Sequence, residues 1–545
     1  MPFESEHAPI SIPNVDIWTF LFERTDRVFP DNHVVLVDVS ARKQHTFQDV
    51  RQTAERFGRG LRHHWNWQKG DVMAIFSPNN VDIAPVTFGS QWAGGVVCPF
   101  NNQYTAAELA SQLSSSRSKA MATHVACLEV AKEAALLVGL SMDRIILVGD
   151  HDPKGLVKHY SSLLNDSTAV TKATINPEDD VAFLVYSSGT TGLPKGVMLT
   201  HKNIVANVLQ VTAMDLGEVD WREDRYVGFL PMYHIYGLAV SVLAPVYRGL
   251  PMYIMQKFEL ERLCQVIQDS KITMVYIVPP VVLLLAKHPA VAKYDLSSVR
   301  MLHSSAAPLT KDLVDMVYKR LNVPIKQGYG LSEAAPGVAS QSWSQWQTSI
   351  GSVGKLCPSM SLKFVGNGKE VPVGETGELW IKGPNIFKGY YDNPNATAES
   401  LDTEGWYRTG DIGYIDNDKN IYTTDRVKEL IKYNGFQVAP AQLEGLLLAN
   451  PAVNDVAVVG VFNEERATEL PRAYIVPAQG YKADMRLEKE INGWLNQRVA
   501  PYKRLRGGIR FIDVIPKSAA GKVLRRVLAE QAKNEKPQMA GRLKL

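Results

Sequence analysis

Cysteine is scarce in this chain of 545 residues. Cys98, Cys127, Cys264 and Cys357 stand far apart and form no CxxC pair, which excludes a zinc knuckle and a disulfide framework. His124 lies close before Cys127, but no second pair accompanies it, so no metal site is expected there. Such cysteine usage suits a reducing, intracellular compartment. Long apolar runs are missing as well. The longest, Val275 to Ala286, contains Pro279 and Pro280 and is too short to span a bilayer, so no transmembrane segment is expected. The stretch from Met1 to Asn14 is polar and proline-bearing, so it is not expected to be a signal peptide. Nor is one sign of charge in excess: 59 basic residues meet 56 acidic ones, for a formal net charge of +3. That balance argues against nucleic acid as the main partner. No repeat of fixed period and no low-complexity segment is found.

The hydrophobic content of 45% is ordinary for a globular chain, and the length calls for more than one domain. From Ile17 to about Asn176, strand-like segments such as Asp71–Phe76 alternate with helix-like ones such as Ala106–Ser115, as in a parallel sheet covered by helices. The alternation continues through Arg225–Leu230, an apolar helix to Val246, Met252–Met255, Thr273–Val278 and Lys311–Leu321. From Ile350 to Thr424 the β-like runs are short and broken by glycines, which predicts a small antiparallel barrel or sheet. The expected fold is α/β: a large N-terminal domain of stacked α/β sheets with a small β-barrel-like part, then a smaller, mobile α+β C-terminal domain. The boundary is placed at Asp425, giving domains 1–424 and 425–545.

The whole chain is organised around Ser187-Ser188-Gly189-Thr190-Thr191-Gly192-Leu193-Pro194-Lys195-Gly196. A β-prone run, Val181 to Tyr186, precedes it, and Thr200 reads as the N-cap of a helix from His201 to Met214. On this reading a loop of glycines, hydroxyls and one lysine joins a strand to a helix. Glycines let backbone N–H groups approach a ligand, while hydroxyls and a lysine meet phosphate oxygens. The stretch is therefore expected to hold a polyphosphate. It is not GxxxxGK[ST], because Pro194 stands before Lys195.

Residue for residue the stretch resembles the phosphate loop of the acyl-adenylate-forming enzymes, which include acyl-CoA ligases, peptide-synthetase adenylation domains and beetle luciferases. Further motifs follow in family order: Pro231-Met232-Tyr233-His234, Gln327-Gly328-Tyr329-Gly330-Leu331-Ser332-Glu333, Gly405-Trp406-Tyr407-Arg408-Thr409-Gly410-Asp411, Asp425-Arg426 and Gly521-Lys522. The overall look is that of 4-coumarate–CoA ligases and related fungal acyl-CoA ligases. The resemblance implies ATP, Mg²⁺ and coenzyme A as cofactor and co-substrates, and an acyl-AMP intermediate.

It also implies roles. Ser187, Ser188, Gly189, Thr190, Thr191, Gly192 and Lys195 would bind phosphates. Gln327, Gly328, Tyr329 and Ser332 would lie around the nucleotide, with Tyr329 against adenine. Glu333 would attend the metal ion. Asp411 and Arg426 would reach the ribose, and His234 would sit beside the carboxylate and α-phosphate. Lys522 would be the catalytic lysine, Lys432 a further catalytic candidate, and Lys428 the hinge. Gly435 would border the pantetheine path, and Gln437 would be a further cofactor-binding residue. Tyr236, Gly237, Val240, Ser305, Ala306 and Ala335 would line the acyl pocket; relatives usually carry Gly where Ser305 stands. Those pocket residues are mostly small or apolar, which suggests a hydrophobic acid, aryl-propenoic or medium-chain.

Rival readings stay open: an adenylation enzyme loading a carrier protein, and a luciferase-like oxygenase. A non-catalytic relative is disfavoured, since Lys195, Glu333, Asp411, Arg426 and Lys522 are all present. Lys503, Arg504 and Arg506 read as a solvated face or as contacts to CoA phosphates. Leu543-Lys544-Leu545 is similar to the peroxisomal Ser-Lys-Leu address, with an arbitrary basic tail as the alternative. The expected location is thus cytoplasmic or peroxisomal, the latter with an import receptor as partner. The residues do not speak to oligomeric state.

Overall fold

The computed structural model describes residues 2–41, 43–187, 194–307, 309–426, 429–434, 436–464, 466, 468–518 and 521–534. Ser188, Gly189, Thr190, Thr191, Gly192, Lys428, Gly435 and the terminal Leu543-Lys544-Leu545 lie outside the described residues, as does the side chain of Gln437. The chain forms two compact units. One comprises Met1–Ala306, Val317–Lys363 and Trp380–Arg408; the other Ala307–Met316, Phe364–Leu379 and Thr409–Leu545. The second unit thus begins before Asp425, which lies within the strand Ile421–Arg426 rather than between elements.

The larger unit holds a seven-stranded and a nine-stranded sheet. In the first, Val181–Ser187, Val96–Phe100, Val72–Phe76, Ser118–Thr123 and Ile145–Leu147 run parallel in that order. Every residue of Val72–Phe76 and Val96–Phe100 is buried, as strands covered on both faces require. The helix Ile83–Trp92 is wholly buried; its polar Ser90 and Gln91 donate to the Val86 and Ala182 carbonyls at 2.7 and 3.2 Å. In the nine-stranded sheet, Ile325–Gly330, Met301–Ser304, Met274–Ile277, Tyr226–Gly228, Met252–Ile254 and Val34–Asp38 run parallel in that order. Ser305-Ala306, Leu331-Ser332-Glu333 and the segment to His234 follow the carboxyl ends of these strands, where open α/β sheets bind ligands.

Two local expectations change. The phosphate stretch does not lead straight into a helix. Lys195–Thr200 is a strand that pairs antiparallel with Val181–Ser187, Lys195 opposite Ser187. The cause is the aliphatic run after Gly196: Val197 and Leu199 are fully buried and continue the sheet. The helix His201–Met214 starts only after that strand, on a capping box between Thr200 and Asn203. The apolar helix expected to reach Val246 is divided into Ile235–Leu238, a π turn Ala239–Leu243, and Ala244–Arg248. Pro245 has no N–H, and its ring excludes the carbonyl four residues earlier, so the turn widens.

Asp82 joins several elements of this unit. Fully buried, it accepts from Lys43 Nζ at 2.6 and 2.8 Å, His45 Nε2 at 3.1 Å, Tyr160 Oη at 3.1 Å and the Gly149 N–H at 3.1 Å. Burial opposes ionisation, but the His159 ring, its Nε2 3.8 Å from Oδ2, the hydrogen bond from His45 and the Lys43 charge hold the carboxyl far below the usual carboxylate range. The native pKa being lowered, the stabilisation is complete above the ordinary carboxylate pKa. It is lost as pH falls through that value towards the native one. Asp82→Ala is expected to destabilise this unit by about 3–5 kcal/mol, as loss of one partner from a buried charged group does. Urea denaturation at pH 7 and pH 3 checks it, the difference between variant and parent shrinking at the lower pH.

In the smaller unit Val453–Asn463 pairs antiparallel with Thr468–Pro477, and Ile509–Phe511 adds parallel to the latter. The helices Pro440–Leu448 and Met485–Asn496 pack on this sheet through Leu443, Leu447, Leu487, Ile491 and Leu495. The short β runs expected over 350–424 are strands, among them Tyr407–Ile415 paired antiparallel with Ile421–Arg426. All four cysteines are buried free thiols. His124 caps a short turn, its Nδ1 accepting from the Ala126 N–H at 3.1 Å. Among the described residues no helix is long and apolar enough to cross a membrane.

Candidate active site

In the larger unit, the ladder that pairs Ser187 with Lys195 sets both at the base of the phosphate stretch. The far edge of Lys195–Thr200 carries Gly389–Tyr390, with Tyr390 opposite Val197. Lys195 Nζ consequently lies 4.9 Å from the centroid of the Tyr390 ring, a cation–π contact. Glu333 stands in the turn Ser332–Ala334 beyond the strand Ile325–Gly330 and is 8% exposed. Tyr390 Oη donates to Glu333 Oε1 at 2.9 Å, Ser187 Oγ reaches the same oxygen at 3.5 Å, and Tyr407 Oη is 3.4 Å from Tyr390 Oη. Burial and then the Glu333 charge push the Tyr390 phenol pKa up, so it remains a donor. Ser187, Lys195 and Glu333 were singled out in the sequence; Tyr390 and Tyr407 were not. Tyr407 stands within a quoted motif but was given no role, and no local pattern marks Tyr390, because its meeting with Glu333 depends on strand pairing.

Beside this cluster a cavity encloses about 950 Å³, its open mouth included. It is lined by His234, Tyr236, Val240, Ser305, Ala306, Gly328, Tyr329 and Ala335 among the expected residues, and by Val208, Val211, Ala239 and Leu331 besides. Tyr236 Oη donates to the His303 carbonyl at 3.2 Å, and His234 Nδ1 accepts from the Tyr236 N–H at 3.3 Å. The Ser305 hydroxyl donates to the Gly328 carbonyl at 2.9 Å, tying two strand ends together. Ala306 and Ala335 have φ of 75° and 65°, a left-handed conformation that disfavours larger side chains. Gly237 is placed differently from the rest. A Cβ there would lie 2.0 Å from the Pro231 carbonyl oxygen, so its small size serves backbone packing. Gln327 is buried; its N–H donates to Gln341 Oε1 at 2.8 Å.

The smaller unit gathers a second set. Register places Asp411 opposite Arg426, and Arg426 Nε lies 2.9 Å from Asp411 Oδ1. Lys522 Nζ stands 3.9 Å from Glu429 Oε1, which belongs to a carboxylate that also pairs with Arg525. Burial and then the Arg426 charge pull the Lys522 pKa down, against Glu429 and Asp411, which raise it. Asp411, Arg426 and Lys522, far apart in the chain, therefore share one electrostatic neighbourhood. Glu429 and Arg525 are additions to the sequence reading. Lys432 is exposed, its N–H donating to Glu469 Oε2 at 2.7 Å.

Residues 22–391 match the model of the AMP-binding enzyme family, and residues 442–522 that of the AMP-binding enzyme C-terminal domain. The 4-coumarate–CoA ligase 1 of Petroselinum crispum is 37% identical over 96% of both chains. ATP-bound MatB from Rhodopseudomonas palustris superposes with a TM-score of 0.84 at 26% identity, over 96% of this chain and 99% of that one. The o-succinylbenzoate coenzyme A synthetase of Bacillus subtilis, solved with ATP and magnesium ion, gives 0.77 at 26% identity, over 93% and 98%. With most of its length matched by the family model and by such relatives, the chain belongs to the AMP-binding enzyme family.

Proposed function

We propose that the chain is an ATP-dependent, AMP-forming acid–CoA ligase whose acid is hydrophobic, aryl-propenoic or medium-chain. The observation that supports this most is the apolar cavity ending at Tyr329-Gly330-Leu331, next to the cluster of Glu333, Ser187 and Lys195. A carboxylate resists nucleophiles because it is already anionic. Its oxygen attacks the α-phosphorus of ATP, the bond to pyrophosphate breaks, and an acyl-AMP results. The CoA thiolate then attacks the acyl carbon and AMP leaves.

Lys195 and the Ser187 hydroxyl bind triphosphate oxygens in this reading. Glu333, held by Tyr390, offers a hard oxygen donor. Among the described residues no group of three or more metal-ligating side chains occurs. One carboxylate beside a phosphate site fits Mg²⁺, which takes few protein ligands and keeps phosphate oxygens and water. When bound, the ion neutralises charge on the phosphates. His234 and Lys522 screen the approach of one anion to another, Tyr329 faces adenine, and Asp411, oriented by Arg426, accepts from the ribose hydroxyls. Gly435 is assigned to the thioester step, Gln437 to cofactor binding, and Lys432 remains a further catalytic candidate.

The purified chain, given Mg·ATP, CoA and a panel of acids, is expected to form AMP and pyrophosphate. ADP as the stoichiometric product would remove the reading. One methylene in such a pocket is worth only about 1–3 kcal/mol, so several related hydrophobic acids are expected to react. A preference for acetate or a free amino acid would reverse the assignment of the acid.

A further inference from the structure

At the end of the acyl cavity remote from Leu331 lies a set of charges that adenylation does not use. Asp215, the C-cap of the helix His201–Met214, is 2% exposed. Lys326 Nζ and Trp343 Nε1, the latter at 3.3 Å, donate to its Oδ1, and Arg248 Nη1 donates to Oδ2 at 3.2 Å. Lys326 is fully buried, and the Arg248 side chain, 8% exposed, lines the cavity. Two buried cations thus share one carboxylate. Burial opposes ionisation of Asp215, but Lys326 and Arg248 hold its carboxyl well below the usual range, so it is spent on them. A buried charge without a partner is costly, and the arrangement leaves positive charge facing the cavity.

A second observation points the same way. His303, 7% exposed, lines this cavity, and its Nδ1 is buried with no hydrogen-bond partner among the described residues. Burial and the Lys326 charge push its pKa down to about 3, so the neutral ring has one N–H to donate. Side chains alternate along a strand, so Lys326 and Gly328 share a face. Gly328 makes room on that face for the imidazole, which packs against it; a Cβ there would lie 2.6 Å from His303 Nε2. Lys326 stands at the opposite end of the strand from Gly330, about 13 Å away at about 3.3 Å per residue.

We propose that this end of the cavity receives a carboxylate at the far end of the acyl substrate, so that the acid is a hydrophobic dicarboxylic acid, activated at one end and held at the other by Arg248 and His303. This rests on the ligase reading and narrows its substrate class. Pyrophosphate release by the full chain is measured with matched acids: 4-carboxycinnamic against 4-methylcinnamic, and nonanedioic against nonanoic, with 4-hydroxycinnamic acid as a neutral polar arm. In at least one pair the dicarboxylic member is expected to exceed its methyl partner in kcat/KM by about 10–100-fold, the worth of a charge-assisted hydrogen bond. Arg248→Gln is expected to bring that ratio to one or below, and Arg248→Lys to restore part of it. If the glutamine variant does not fold, the comparison in the parent and in Arg248→Lys still decides. Preference for the methyl acids or for 4-hydroxycinnamic acid in the parent, or an unchanged ratio in Arg248→Gln, overturns the proposal. Pyrophosphate release with methyl acids but no preference for dicarboxylic ones ends this inference alone; no release with any acid ends the ligase reading.

Discussion

Lys522→Ala is expected to slow acyl-AMP formation by about 10²–10³, the usual loss when one preorganised charge-stabilising contact is removed. It should slow transfer from pre-made acyl-AMP to CoA far less. The adenylation step brings a carboxylate against the α-phosphate, and a cation there lowers the repulsion; the thioester step has no such encounter. Gly435→Leu should do the opposite, sparing a single turnover of pyrophosphate release while blocking the thioester. Each half-reaction measured separately on each variant decides, and equal slowing of both steps by both substitutions would withdraw these assignments. The environment of Lys522 adds a pH signature. Its pKa is lowered by burial and by Arg426, while Glu429 raises it. In its proposed role Lys522 acts protonated, so the adenylation rate should fall with rising pH sooner than a solvated lysine would allow. Glu429→Gln removes a raising charge, and the alkaline limb should then move to still lower pH. A limb unmoved by that change would detach Lys522 from the step.

Glu333→Gln is expected to cut pyrophosphate release by a similar factor of about 10²–10³, and to raise the magnesium concentration needed for half-maximal rate. Glutamine can still accept from Tyr390, whose hydroxyl holds Glu333 Oε1 at 2.9 Å, so the local fold should survive while the charge is lost. Excess magnesium should recover part of the rate, because a weakened site is refilled by mass action. Tyr390→Phe leaves the carboxylate charged but less well held, and a smaller shift in the same direction is expected. A magnesium dependence identical to the parent's in Glu333→Gln would take the metal away from this residue.

The sequence by itself determined the α/β class, the division into a large and a smaller part, and the motifs that carry the likeness to the AMP-binding enzyme family. Those signals are local: buried β-branched runs, caps such as Thr200, and motif residues at fixed spacing. Even so, local reading sent the phosphate stretch directly into a helix, because Lys195–Thr200 is a strand only by virtue of its pairing with Val181–Ser187. The partners of the motif residues were decided by tertiary structure alone. Tyr390 meets Glu333 from 57 positions away, and Lys326 meets Asp215 from 111. Neither Tyr390 nor Lys326 carries a mark in its own neighbourhood. Strand order and register bring these side chains together, and such long-range pairings are set by the packing of whole sheets rather than by the preferences of neighbouring residues.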